Sequence, residues 1–295
     1  MPLPPPELAP ARQKFLELIA DIRPELHRYC ARITGSVISG EDIVQDVIAK
    51  VFYEISMANE LPPLRPLLFR VAHNAAIDFL RKYEQKHVEP VAEIPEDQLI
   101  DDADPMVLRA ALASFLVLPI RQRSAVILKD VLGLTAQEIA DATGTTVPAV
   151  KAALVRGRAA LRAELSKGSV DAPVQVRTEE LAQLHRYVAL FNARDWDGVR
   201  GLLADECRLD LVSQAARRGK AVGQYFGRYA LETELRFVAG ALEGRPAIAV
   251  YRAAPTPEYF MLLEWEAGRV TAIRDFKYVP YIGNSAQFVA YEISR

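Results

Sequence analysis

Two short stretches of this chain hold the side chains best suited to meeting a nucleic acid. In the first, Arg70, Asn74, Asp78, Arg81 and Lys82 recur at three- and four-residue spacing within Pro66 to Lys82, so a helix brings them to one side. Asn pairs with base edges, and Arg and Lys meet phosphate or guanine. In the second, Lys151, Arg156, Arg158, Arg162 and Lys167 face a single acid, Glu164, a balance suited to phosphate contacts. At the start of that second stretch Thr146, Val147, Ala149 and Lys151 are the residues placed to reach base edges. A third group, Glu41, Asp42, Gln45 and Asp46, forms the acidic early turn of an amphipathic helix, and on its own reads as a solvated face.

Other chemistry is thinly represented. His185, Asp210 and Asp275 have the side-chain types for acid–base work, yet no two read as a catalytic pair, and no enzymatic activity is expected. Cys30 and Cys207 stand far apart without a CxxC or Cys/His cluster, so neither a metal site, a cofactor nor a disulfide framework is expected, only buried thiols. No apolar run approaches the roughly 18 residues of a membrane span, and the opening residues lack the basic-then-apolar pattern of a signal peptide. The chain is expected to be cytoplasmic, with no membrane partner.

The 295 residues, 51% hydrophobic and 25% charged with a net charge of −2, are ordinary for a soluble protein of two or three domains. Charge is unevenly spread, which matters more than its sum. Residues 89–105 carry only acids together with Pro90, Pro95 and Pro105, a linker composition. Residues 106–168 hold five more Lys and Arg than Asp and Glu. Up to the break Lys167-Gly-Ser-Val-Asp-Ala-Pro173 the apolar residues recur at helical spacing. Beyond it, helical patterns from Leu181 to Leu203 give way to alternation at Cys207 to Val212, Ile248 to Tyr251, and a hairpin pairing Tyr259–Trp265 with Val270–Phe276 about Ala267-Gly268, an α+β pattern.

Local signals place the motifs. Ser39 with Asp42 has the spacing of a capping box opening a helix whose apolar stripe is Ile43, Val44, Val47, Ile48, Val51 and Phe52. The helix of Pro66 to Lys82 turns Leu68, Val71, Ala75, Phe79 and Leu80 inward. Thr135 with Glu138 makes a second box, Ala140 is small where two helices cross, and Gly144 permits a sharp turn. Thr146 caps the next helix with Pro148 in its first turn. This is a helix-turn-helix whose second helix is expected in a major groove of DNA.

The first block resembles domain two of the extracytoplasmic-function (ECF) sigma factors of bacterial RNA polymerase. Glu41, Asp42, Val44, Gln45 and Asp46 match one signature helix, and Leu68, Arg70, Val71, Ala72, Asn74, Ala76, Asp78 and Arg81 match the next. Phe69 stands where the family usually has Trp-Leu-Tyr. Residues 134–158 resemble sigma domain four, with Pro148-Ala-Val-Lys and Gly157 as departures. The resemblance implies that the first helix grips core RNA polymerase, that the region of Asn74, Asp78, Arg81 and Lys82 reads the minus-ten element of promoter DNA, and that the helix-turn-helix meets the minus-thirty-five element. The expected layout is residues 10–88 for domain two, 89–105 for the linker and 106–168 for domain four.

Residues 176–295 resemble the cone-shaped SnoaL-like fold, on Leu181 to Asp197 and the strands that follow. The fold class is then two all-α sigma domains followed by an α+β domain. Such a cone often has a pocket, for which Tyr187, Phe191, Trp196, Tyr225, Phe226 and Trp265 are the lining candidates, leaving room for an unidentified small ligand; the plainer reading makes them core. In ECF factors with such tails the tail regulates the sigma domains. The best-known group carries an Asp-Gly-Gly-Gly-Lys run, where this chain has Ala216-Arg-Arg-Gly-Lys220, so the likeness is to a related group. Two rival readings are weaker. A receiver-linked activator needs parallel β/α strands ahead of the linker, which residues 10–88 lack. A fused enzyme needs titratable groups converging on an apolar pocket.

Overall fold

The computed structural model describes residues 9–57, 62–83, 107–108, 110–167 and 178–291. The acidic linker and the Gly-Ser break therefore lie outside the described residues. The chain divides into two compact units with the boundary at residue 170, each with its own apolar core.

The first unit is helical. Helices α1 (Ala9–Leu18), α2 (Ile22–Thr34), α3 (Val37–Ser56) and α4 (Leu64–Tyr83) come from the first block. The second contributes a 3-10 turn (Leu112–Val117), α5 (Ile120–Val126) running into a π turn (Ile127–Val131), α6 (Ala136–Thr143) and α7 (Val147–Ser166). Gly35 ends α2 in the left-handed conformation at φ 72°, its N–H bonded to the Ala31 carbonyl, a cap only glycine adopts freely. One residue on, Ser36 is extended and its side chain accepts the Ser39 N–H at 3.2 Å. The cap of α3 is thus Ser36, three residues before the expected Ser39, because Ser39 is already helical.

The two helical blocks were expected as separate domains. Instead Tyr29, Val44, Phe69 and Ala72 share a single apolar core with Phe115, Val126, Ile139 and Leu154. Phe69 is buried edge-on to Tyr29, ring centroids 6.1 Å apart, so this departure from the family pattern is absorbed by packing. Gly157 has a comparable cause. A Cβ there would lie 2.7 Å from Val126 Cγ2, and its absence lets α7 cross α5 closely.

The second unit is α+β. Helices α8 (Thr178–Asn192), α9 (Trp196–Gly201) and α10 (Lys220–Leu231) accompany strands β1 (Leu203–Leu211), β2 (Ala215–Arg218), β3 (Arg236–Leu242), β4 (Arg245–Tyr251), β5 (Tyr259–Glu266), β6 (Arg269–Asp275) and β7 (Phe288–Ala290). They form one sheet in the order β2-β1-β6-β5-β4-β3-β7. β1 and β6 run parallel, Leu209 opposite Ile273; every other pairing is antiparallel. The β5–β6 hairpin turns at Ala267 and Gly268, both at positive φ, as a tight primed turn requires. Asn192 closes α8 onto β3 by imitating a peptide group: its Oδ1 accepts the Phe237 N–H at 2.9 Å and its Nδ2 donates to the Phe237 carbonyl at 2.8 Å.

Candidate nucleic-acid interface

On α4 the buried side consists of Leu68, Phe69, Val71, Ala72, His73, Ala76 and Leu80. Arg70, Asn74, Asp78 and Arg81 are exposed, and their spacing of four, four and three residues aligns them in one stripe along the helix. Asp78 and Arg81 lie 3.8 Å apart as a surface ion pair, a contact of little energy that leaves both in water. The side chain of Lys82 is outside the described residues.

On α3 the four acidic-turn residues separate. Asp42 and Asp46 are exposed, one turn apart on the same face, while Gln45 is half-buried. Glu41 is fully buried and accepts a 2.5 Å ion-pair contact from Arg23 Nη2. It therefore braces α2 against α3, and its expected place on a partner-binding surface is corrected: a carboxylate buried in this way is held by its counter-charge.

The helix-turn-helix forms as its local signals imply. Thr135 Oγ1 accepts the Glu138 N–H at 3.2 Å, and the Glu138 carboxylate accepts the Thr135 N–H at 2.8 Å. The backbone hydrogen bond from Thr135 holds the Glu138 carboxyl below its usual range. Gly144 turns at φ 66°. Thr146 is extended, its hydroxyl accepting the Ala149 N–H, with Pro148 in the first turn of α7. Thr146, Ala149 and Lys151 face solvent, whereas Val147 is half-buried against the core.

Further along α7 the cations differ in role. Arg162 and Lys167 are exposed and Arg156 is half-buried. Arg158 is buried: its Nε donates to Asp130 Oδ2 at 2.9 Å, its Nη2 meets Asp130 Oδ1, and the Asp130 side chain has no solvent exposure. The π turn at the end of α5 carries Asp130 to this partner. Arg158, expected at DNA, is a structural residue here.

In the second unit the expected pocket is filled. Tyr187 and Phe191 have no exposure and Tyr225 has 3%, while Trp196 and Trp265 are half-buried against the same core. Phe191 is the hub, with ring centroids 5.0 Å from Trp196, 5.1 Å from Tyr229 and 4.3 Å from Phe237. A cavity of about 10 Å³ bordered by Leu211, Tyr225, Arg228, Tyr229, Asp275, Lys277 and Tyr278 has room for about one water molecule. Of the pocket candidates only Tyr225 borders it.

At its floor lies a cluster that the sequence reading missed. Asp275, fully buried, accepts the hydroxyls of Tyr225 at 2.5 Å and Tyr229 at 2.7 Å on Oδ2, and the Lys277 N–H at 2.9 Å on Oδ1. Burial pushes its carboxyl above the ordinary range against the pull of these hydrogen bonds. The four-residue spacing of Tyr225 and Tyr229 was the one signal for the cluster. His185 is half-buried and Asp210 lies 3.6 Å from Arg274; the structure assembles no acid–base pair from them. Among the described residues no group of His, Cys, Asp and Glu could hold a metal, and no helix is long and apolar enough to cross a membrane.

Comparison with known proteins fits this division of labour. Residues 18–86 match the family model of sigma-70 region 2, and residues 108–161 match that of sigma-70 region 4. Both models fall in order on the two helical blocks. The chain is an ECF sigma factor. Among its relatives, the ECF RNA polymerase sigma factor SigG of Mycobacterium tuberculosis is 27% identical over 86% of this chain and 78% of its own length. SigW of Bacillus subtilis is 25% identical over 51% of this chain and 88% of its own. The crystal structure of the M. tuberculosis ECF factor SigJ covers 88% of this sigma factor and 95% of itself at 21% identity and a TM-score of 0.35. The exposed stripe of α4 lies in region 2 of this factor, and the capped helix-turn-helix lies in region 4.

Proposed function

We propose that this factor binds core RNA polymerase through the exposed acids Asp42 and Asp46 of α3 and brings it to promoter DNA. Asn74, Asp78, Arg81 and Lys82 of region 2 meet the minus-ten element. Thr146, Ala149 and Lys151 of region 4 meet the minus-thirty-five element, with Arg156 and Arg162 near phosphate. The observation that carries this reading is the pairing, in one chain, of a solvent-facing Arg70-Asn74-Asp78-Arg81 stripe with a capped helix-turn-helix whose leading residues are exposed. Factors of this family are initiation proteins and not enzymes, and they act in the cytoplasm where polymerase works.

The tail, residues 176–295, regulates the helical unit and does so by its surface. The filled aromatic core and the one-water cavity favour a protein-contact role over a ligand in the cone. Solved relatives of the helical unit include the sigma factor RpoE of Bartonella quintana with the anti-sigma factor NepR, and an attached tail supplies such control at high effective concentration. The test is the affinity of core polymerase for the full chain and for a chain ending at Lys167, which keeps the whole helical core. Binding by both, with different affinities, is expected. Equal affinities and equal promoter activity would remove the regulatory role from the tail.

A further inference from the structure

The outward face of α7, the second helix of the helix-turn-helix, carries an apolar stripe between cations. At about 100° per residue, Val150, Ala153, Leu154, Gly157, Arg158 and Leu161 gather on the buried side. Pro148, Ala152, Val155 and Ala159, spaced by four, three and four residues, fall within about 60° of arc on the opposite side. Pro148 and Ala159 are exposed, and Ala152 and Val155 are half-buried. From Val147 to Leu154 the one charged side chain is Lys151, at the edge of the stripe. The Thr146 hydroxyl is turned to the Ala149 N–H as the helix cap. Further on, the exposed Arg162 lies on the same flank as Lys151, and the half-buried Arg156 lies on the other.

Such a stripe has one counterpart among base edges. In the major groove guanine, cytosine and adenine present hydrogen-bonding groups, whereas thymine adds its C5 methyl. Against a polar edge an Ala or Val methyl makes no hydrogen bond and keeps water from groups that need it. Against thymine it buries one apolar group on another. The groove is about 12 Å wide and has a phosphate backbone on each side, so cations flanking an apolar centre fit it. They favour DNA over an apolar protein helix as the occupant, because a phosphate strand runs opposite each flank. The leading residues of such a helix are the ones that reach base edges. Pro148 to Val155 cover about 10 Å of helix, the length of about three base pairs.

We propose that Pro148, Ala152 and Val155 read thymine methyl groups in the minus-thirty-five element, which therefore carries thymine, on either strand, at two or three neighbouring base pairs. The proposal rests on the sigma-factor reading above. Core polymerase with the full chain is used to select the element from promoter fragments randomised in that region. Deoxyuridine then replaces each thymine of the selected element in turn, which removes the methyl and leaves every hydrogen-bonding group. Each replacement at a contacted thymine is expected to weaken binding about three- to fourfold, the worth of one buried methyl group, and two together roughly tenfold. The same replacement between the two promoter elements is expected to change nothing. Val155→Thr, which keeps the shape and adds a hydroxyl, and Ala152→Ser are each expected to bring the thymine-to-deoxyuridine ratio towards one, with affinity for core polymerase unchanged. Equal binding of thymine and deoxyuridine fragments by the wild-type chain, or a selected element without neighbouring A·T pairs, overturns methyl readout and leaves the sigma-factor reading standing. A loss of affinity for core polymerase in both variants overturns it too, by showing that the stripe docks on protein. Selection of no element at all overturns the sigma-factor reading, and methyl readout with it.

Discussion

Replacing Arg158 by Met should cost the helical unit about 3–5 kcal/mol, because it leaves Asp130 charged, buried and without its bidentate partner. The side chains of Arg158 and Asp130 are 9% and 0% exposed, so water cannot take over the lost contacts. Set against a total stability of about 5–15 kcal/mol, the loss lowers the melting temperature by roughly 10 °C for a unit of this size. Urea unfolding of the full chain followed by circular dichroism reads the change directly. Replacing both partners, Asp130→Leu with Arg158→Met, should restore most of the loss, since the buried charge goes with its partner. The DNA readout separates structure from recognition. A phosphate contact contributes about 0.9 to the slope of log affinity against log salt, so Ala in place of the exposed Arg162 should lower that slope by about this amount with little change in stability. The Asp130→Leu/Arg158→Met pair should leave the slope as it is. A cost below about 1 kcal/mol for Arg158→Met, together with a reduced salt slope, would show that Arg158 faces DNA and that the structural role is wrong.

Further outcomes follow from the same reasoning. Burial pushes the His73 imidazole down to about 4, so below pH 6.5 the unfolded chain takes up a proton that the closed unit refuses. Stability is therefore full above about pH 6.5 and falls as the pH drops towards 4, by about 1.4 kcal/mol at pH 5.5; the urea midpoints of wild type and His73→Asn at pH 7.5 and 5.5 should differ accordingly. The Tyr187 hydroxyl is buried with no hydrogen-bond partner, so Tyr187→Phe should leave the tail's unfolding free energy unchanged or raise it by up to about 1–2 kcal/mol, read from urea unfolding; a loss would mean the hydroxyl has a partner such as an internal water. A Cβ at Gly240 would strike the Val289 carbonyl and the Phe288 ring, so Gly240→Ala should displace β7 at a cost of about 1–3 kcal/mol, seen as faster amide exchange at Glu243 and Tyr291, whose N–H groups donate to the Gln287 and Ala239 carbonyls.

How far the sequence could be read depended on distance along the chain. The helix-turn-helix was legible because every signal is local: the Thr135–Glu138 box, the turn at Gly144, and the Thr146 cap with Pro148 each act over no more than four residues. The β5–β6 hairpin was legible for the same reason, at Ala267-Gly268. The cap of α3 was misplaced because Ser39 with Asp42 has the right spacing, while the deciding variable is the extended backbone of Ser36. Glu41 and Arg158 were misassigned because their partners, Arg23 and Asp130, lie 18 and 28 residues away, beyond what helical periodicity can show. The tail's aromatics were rightly suspected of being core. Asp275 was hidden because its fate depends on Tyr225 and Tyr229 from another element. The shared core of regions 2 and 4 was obscured by the composition of residues 89–105, which suggested two independent domains.

The most direct test of the central claim is initiation itself: core RNA polymerase and the full chain, incubated with a library of promoter fragments, with the 5′ ends of the transcripts mapped. Transcripts are expected to start at fixed positions downstream of a shared pair of sequence elements, and to be lost with Asn74→Ala or Lys151→Ala. Transcripts no different in position or amount from those of core polymerase alone would contradict it.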